Sequence, residues 1–582
     1  MLRRLEDEQF DVLVVGGGIT GVGVALDAAS RGLRTALVER DDFASGTSSK
    51  SSKLVHGGLR YLQQGEVRLV YEALHERQRL RKNAPHLVKV LPFMIPILTR
   101  SPSGGTQTKS VVSRKIARAL GSAMWMYDLT GGWRIGKFHR RLRKAAAFEH
   151  LPTMPFERLS SAYLYYDAAV DDARLVLTVA KTAAAHGAAV ANGCRVVELT
   201  HRSDDPTEAV NGIVVEADGR RFEIRATVVV NAAGVWADDV RSLDEDEHPD
   251  SIRPAKGVHI TVPWDKVRND IAVVIPVPKD KRSLFVVPWG RNDDGTFRHT
   301  YVGTTDTDYD GPLDDPQCTK DDIDYVLRAL NASVTTGITE SDVTGVWAGL
   351  RPLVKSAGTG RTADLSRRHR VQRSERGVIT VTGGKLTTYR EMAEDTVDEV
   401  LEVLERREKC VTKKLRLVGA DGYRDRGATS TDAHLGDRYG TLITEVEALV
   451  AERPALGEVI TPGLPYLKAE VVHSARTEMV RTVDDVLSRR TRARLLDRDL
   501  AIAAAPEVGR LLASELGWDD EETQRQVDAF IDACRHEEAA GRESAPVEPV
   551  AAPDAPAVPA DQSAAPAAFS LGVSAQVPGG SA

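Results

Sequence analysis

The chain is predicted to be α/β, with a parallel βαβ start, a more antiparallel middle and a helical C-terminal region. Three observations predict it. Asp11-Val-Leu-Val-Val15 is an unbroken apolar run, followed by Gly16, Gly18 and Gly21 and then by a small-residue helical pattern over 22–31. Runs rich in Val, Ile and Thr recur at 226–230, 271–275, 283–288, 300–304 and 378–381. After residue 396 the apolar spacing becomes helical.

The first unit is justified element by element. Gly32 ends the first helix, and Thr35-Ala-Leu-Val-Glu39 is the next strand. A βαβ unit of about 30 residues with this glycine pattern is Rossmann-type. Gly16 permits the strand-to-helix turn, Gly18 lets backbone approach a pyrophosphate, and Gly21 lets helix pack on strand. The helix N-terminus offers free N–H groups and a positive dipole end to phosphates. Glu39 lies 23 positions after Gly16, where a carboxylate holds ribose hydroxyls and repels the extra phosphate of NADP. The pattern fits FAD or NAD and does not choose between them.

Further along, 171–187 reads as a helix, and 226–230 as a strand feeding Asn231-Ala-Ala-Gly234. The strands at 271–304 suggest a second, more antiparallel layer. Gly383-Gly-Lys-Leu-Thr-Thr-Tyr-Arg390 follows a strand and is expected to open a helix reaching about Glu405. A second helix N-terminus beside the nucleotide site suits a flavin, whose ring gains negative charge on reduction. The segments 396–405 and 519–539 have helical spacing, and 396–540 is read as a largely helical C-terminal domain that includes 476–496. The Ala/Pro-rich tail, 541–582, cannot bury enough apolar surface to offset ordering entropy and is expected to be disordered.

Composition narrows the function classes. The 582 residues suggest two to four units, and 42% hydrophobic with 28% charged residues is ordinary globular usage. A net charge of −7 argues against a general nucleic-acid binder. Cys194, Cys318, Cys410 and Cys534 lie far apart, so neither a zinc site nor a disulfide framework is indicated, and no metal is expected. No signal peptide and no apolar span of about 20 residues is visible, so membrane contact is expected to be peripheral. The segment 113–144 mixes Lys and Arg with Trp125 and Trp133. It suits either an anionic bilayer interface or a helix covering a site with a solvated basic face.

One early stretch remains, Ser51-Ser-Lys-Leu-Val-His-Gly-Gly-Leu-Arg-Tyr-Leu62. With VGGGITGVGVALDAASRG (15–32) and GGKLTTYREMA (383–393), it resembles the FAD-dependent, quinone-linked glycerol-3-phosphate dehydrogenases. VDDARLVL (170–177), KGVHITVP (256–263), VGTTDTDY (302–309) and GLRPLV (349–354) add to the likeness, which spans about 10–395. The resemblance implies an FAD-binding fold of the D-amino-acid-oxidase type, with FAD-binding segments near 10–85, 165–240 and 340–395. Substrate or cap segments would fall near 86–164 and 241–339. It implies oxidation of sn-glycerol 3-phosphate to dihydroxyacetone phosphate, with electrons passing through FAD to a membrane quinone. A cytoplasmic protein, or one lying on the cytoplasmic face of the membrane, would follow, and a homodimer is left open.

The resemblance also assigns residues. Arg60, Tyr61, Arg351, Arg367 and Lys385 match substrate-site positions, with Arg368 and Arg370 as alternatives to Arg367. A phosphate dianion favours arginine, whose planar fork bonds two oxygens. Thr47, Ser48, Ser49 and Ser52 supply hydroxyls and amides for FAD, as do Gly383, Gly384, Lys385, Leu386 and Thr387 at the second glycine motif. The C2 hydroxyl must lose a proton while hydride leaves C2. His56 and His259 are the candidate bases, His56 slightly favoured, and Lys385 or Arg351 lowering the hydroxyl pKa is the alternative. An oxygen-using oxidase of glycerol phosphate or an amine, and a non-catalytic flavoprotein, are the competing functions.

Overall fold

The computed structural model describes residues 1–63, 65–98, 114–203, 208–245, 248–278, 280, 282–355, 369–424 and 430–543. The side chains of Arg60, Gln63, 114–119, Ser430 and Asp432 lie outside that description. So does the Ala/Pro-rich segment from 544 onward.

The described residues build two sheets and a helical C-terminal region. In the first sheet the order is Arg370–Arg373, Ile379–Thr382, Arg220–Asn231, Gln9–Val15, Thr35–Val38, Ala189–Ala191. The five strands from Ile379–Thr382 to Ala189–Ala191 run parallel, with Val12 opposite both Val228 and Thr35. Antiparallel strands Val210–Ala217 and Arg195–His201 extend it from Arg220–Asn231. Parallel strands are covered on both faces, which is why Val12 to Val15 are all apolar. Helices Ile19–Ser30, Asp172–Ala185 and Tyr389–Val403 cover one face through Val22, Val176 and Val397. Asp171 caps the second of these, its side chain accepting from the Arg174 N–H at 3.2 Å.

The second sheet has ten strands and is mostly antiparallel. Its longest ladders are Lys89–Leu98 on Leu159–Ala169 and Ile252–Pro263 on Gly345–Val354. Its core gathers Met94, Leu164, Ile260 and Val302. Helices from Ile443 to Arg542 form a third core around Val472, Leu487, Leu512 and Phe530.

Two expectations are corrected. The segment 476–496 is not one helix: Lys468–Thr477 ends, a π-helical turn covers Asp485–Arg490, and Ala493–Leu496 follows. Met479 at φ +54 follows the end of the first of these, and Arg492 at φ +82 separates the last two. The Gly383 motif does not open the helix directly. Both glycines have positive φ, a 3-10 turn covers Leu386–Thr388, and the helix starts at Tyr389. That helix packs against Ile19–Ser30, so the expected boundary at 396 falls inside an element of the nucleotide unit.

The segment 113–144 becomes a helix over Arg114–Leu129, a turn, a strand Arg140–Arg143 paired with Leu159–Ala169, and a short helix Lys144–Glu149. Met124 and Tyr127 face inward, whereas Trp125, Met126, Leu129, Trp133 and Phe138 are exposed. No helix among the described residues is long and apolar enough to cross a membrane.

Candidate active site

Two joined clefts meet along the loop after Thr35–Val38. The first, about 460 Å³, lies over Gly16, Gly18, Glu39, Thr47, Ser48 and Gly383. The second, about 470 Å³, holds Ser52, His56, Tyr61, His259, Arg351, Lys385 and Thr387. Thr47, Ser48, Gly383, Gly384, Lys385 and Leu386 line both.

The first cleft has the chemistry of a dinucleotide site. Gly16 sits at φ +111, and a methyl there would meet the Ala232 carbonyl oxygen at 2.7 Å. A methyl on Gly21 would collide with the Gly16 carbonyl, so strand and helix touch there. Glu39 accepts from the N–H of Gly17 at 2.6 Å and of Asp41 at 2.9 Å. Burial pushes its carboxyl up to about 7 against those two donors. Val196, Val235 and Trp236 supply an apolar wall suited to a base.

The serine loop is more specialised than expected. The Ser48 hydroxyl accepts from the Ile19 N–H at 2.9 Å and so satisfies a free donor at the start of Ile19–Ser30. Ser49 is a correction: it is buried and lines neither cleft, its carbonyl accepting from Lys53 at 3.1 Å and Arg492 at 2.6 Å. Ser52 reaches the second cleft, its hydroxyl 2.9 Å from His259 Nε2.

The second cleft collects cations. Arg351 bonds Asp306 at 3.1 Å and the Thr304 hydroxyl at 3.0 Å. Lys385 Nζ lies 3.7 Å from the Tyr61 ring centroid, a cation–π contact. Thr387 fixes the backbone of His56, accepting from its N–H at 3.2 Å and donating to its carbonyl at 3.3 Å. The next residue, Gly57, donates to Tyr127 Oη at 3.1 Å and to Asp167 at 3.3 Å. His259 stacks on Trp347 at 4.8 Å, and burial, with Lys53 and Arg351 adding to it, holds the ring's pKa well below 6.5. Gly303 is pressed so closely on the His259 ring that any side chain there would collide.

Two expected residues escape description. Arg60 lies in the short helix Leu59–Gln63, with its side chain outside the described set, and Arg367 lies outside the described residues altogether. Sequence reasoning missed Lys50, Arg282, Asp306 and Asp167, which all line the second cleft. Asp306 stands inside a quoted block without a role, and Asp167 and Arg282 carry no motif. Among the described residues no His, Cys, Asp and Glu group could hold a metal.

A family model described as FAD dependent oxidoreductase matches residues 11–406, and one described as the C-terminal domain of alpha-glycerophosphate oxidase matches 410–523. Glycerol-3-phosphate dehydrogenase 2 of Mycobacterium tuberculosis is 40% identical over 543 residues, covering 91% of this chain and 88% of the relative. The chain belongs to the FAD-dependent glycerol-3-phosphate dehydrogenase family. The mitochondrial human member is 37% identical, over 91% of this chain and 73% of that protein. The structure of the Bacillus halodurans glycerol-3-phosphate dehydrogenase complexed with FAD superposes with a TM-score of 0.72 at 31% identity, covering 91% of this chain and 96% of that one. The family's cofactor is FAD, and the glycine-lined cleft with Glu39 at its strand end fits it.

Proposed function

We propose that this chain oxidises sn-glycerol 3-phosphate to dihydroxyacetone phosphate and delivers the electrons to a membrane quinone. The observation that carries it is the second cleft: Arg282, Arg351 and Lys385 surround a space that also contains His56 and His259 and opens into the nucleotide cleft. A phosphate dianion answers those cations, and an alcohol needs a base beside them. FAD, when bound, supplies the hydride acceptor. Gly16, Gly18 and Glu39 hold its adenosine diphosphate part, and the loops 47–52 and 383–387 flank its ring. Tyr61, Arg351 and Lys385 bind the substrate phosphate, joined by Arg282. His56, whose backbone is fixed on both sides, takes the C2 hydroxyl proton. His259 and Ser52 form one wall.

The electron acceptor dissolves in a bilayer, and one surface suits docking there. Trp125, Met126, Leu129, Trp133 and Phe138 are exposed beside Arg134, Lys137, Arg140, Arg141 and Arg143. Apolar side chains enter an anionic lipid surface while Lys and Arg meet its headgroups.

The test is an anaerobic absorbance titration of the flavin-loaded chain with glycerol 3-phosphate. Loss of the oxidised-flavin band, reversed by a quinone analogue, is expected. A band that stays put removes the substrate. A second reading, oxygen as acceptor, is favoured by the oxidase-type C-terminal match over 410–523. Stoichiometric peroxide in air with no quinone reaction would establish it instead.

A further inference from the structure

The C-terminal region contains Arg489-Arg490-Thr491-Arg492-Ala493-Arg494, a run that plays no part in the proposed chemistry. Arg490 and Arg492 are each only 1% exposed. Arg490 pairs with Asp42 at 2.7 Å, at the foot of the loop that leads into both clefts. Arg492 reaches further. Its Nη2 donates to the Ser49 carbonyl at 2.6 Å and to Asp172 Oδ1 at 2.5 Å, and its Nη1 to the Ser488 carbonyl at 2.8 Å.

Lys53 converges on the same acceptors, donating to the Ser49 carbonyl at 3.1 Å and to Asp172 at 3.2 Å. The fully buried Asp172 also accepts from the Ser51 N–H at 3.1 Å and the Ser51 hydroxyl at 2.7 Å. Residues 49, 51 and 53 are thereby tied to one Asp–Arg pair. The other side of this loop, through Thr47, Ser48, Lys50, Ser51 and Ser52, lines the clefts. Trp347 Nε1 and Tyr301 Oη hold it laterally, donating to the carbonyls of Ser51 at 3.2 Å and Ser52 at 3.0 Å.

A buried ion pair is a poor source of net stability, because desolvation offsets attraction. What this one does is specify a shape: Arg492 Nη2, Lys53 Nζ and the N–H and hydroxyl of Ser51 satisfy the Ser49 carbonyl and Asp172 carboxylate oxygens, which would otherwise let the loop relax. We infer that Arg492 is a positioning residue for the cofactor, fixing from the C-terminal region, through Ser49 and Asp172, the loop that faces FAD. This rests on the reading of the clefts given above, and it assigns the C-terminal helices a part in holding the flavin.

The test uses the full chain. FAD dissociation constants, the visible spectrum of bound flavin and amide hydrogen exchange over 47–53 in the FAD-free protein are measured for the wild type and for R492K, R492Q and S51A. Arg476→Gln serves as control, since Arg476 pairs with Glu515 at 2.7 Å on the exposed side of the same region. R492Q and R492K should weaken FAD at least tenfold, alter the flavin band and speed exchange over 47–53, while R476Q matches the wild type. S51A should weaken FAD about threefold, and with R492K by less than the product of the two. If R492Q does not fold, R492K and S51A decide. Wild-type affinity, spectrum and exchange in R492K would overturn the inference. A wild-type chain that binds no FAD would overturn the cleft reading itself, and this inference with it.

Discussion

Arg351 and Asp306 form an ion pair at 3.1 Å inside the cleft that also holds His56 and Lys385. The pair aims the guanidinium, because Thr304 takes a second nitrogen proton at 3.0 Å. Removing Arg351 takes away charge-assisted hydrogen bonds worth roughly 1.5–3 kcal/mol. Arg351→Ala should therefore raise KM for glycerol 3-phosphate about 10- to 150-fold in steady-state assays. Unchanged KM refutes the phosphate role.

Gly257 reports on the same guanidinium. A methyl there would stand 2.5 Å from Arg351 Nη2. Gly257→Ala should raise KM several-fold, with Arg351 displaced rather than deleted, and the effect should vanish in an Arg351→Ala background. Independent, multiplicative effects would count against this coupling.

Glu39 gives a pH signature. Its carboxyl rises from 4.5 to about 7 in the folded chain, so the folded state holds the proton more firmly than the unfolded one. Its contribution to stability of the FAD-free protein is full below 4.5 and is lost as pH rises through about 7. Ribose hydroxyls favour the ionised form, so FAD should bind more tightly at pH 8 than at pH 6. Glu39→Gln should flatten that dependence, as read by FAD dissociation constants at the two values. A wild type with equal affinities removes the ribose role.

The two histidines should separate kinetically. His259 is held neutral by burial, with Lys53 and Arg351 nearby, so it contributes no ionisation between about pH 6 and 8. His56→Ala should slow anaerobic flavin reduction about 100-fold with little change in substrate affinity, the range expected for loss of a general base. A rate within a few-fold of wild type would transfer the base role elsewhere.

Leu129 is 75% exposed and Trp125 56%, so charge placed there leaves the core intact. Trp125→Glu with Leu129→Glu should abolish co-sedimentation with phosphatidylglycerol vesicles while the solution melting temperature stays put. Retained sedimentation would show that lipid is met elsewhere.

Local features of the fold were legible because their causes are local. A turn that needs φ +111 at Gly16 demands glycine, and a parallel strand covered on both faces demands the run Val12 to Val15. The second cleft was legible only where a motif carried it. Asp167 arrives through the pairing of Leu159–Ala169 with Lys89–Leu98, and Arg282 through a strand connection, so neither leaves a pattern in neighbouring residues. The stretch 476–496 is interrupted where Met479 and Arg492 take left-handed backbone, which no pattern of apolar residues announces. Ser49 looked like its serine neighbours; its inward turn depends on a partner 443 positions away.

That separation has a consequence during synthesis. Ribosomes add about 5–20 residues per second, so Arg492 is added about 20 to 90 seconds after Ser49. Through that interval the nascent chain lacks the Ser49 contact that completes the loop. Chains cut short by messenger damage or proteolysis before residue 492 never acquire it. If Arg492 positions the cofactor loop as inferred above, full FAD affinity is reached only when translation has run nearly to its end, and premature fragments hold the flavin more weakly.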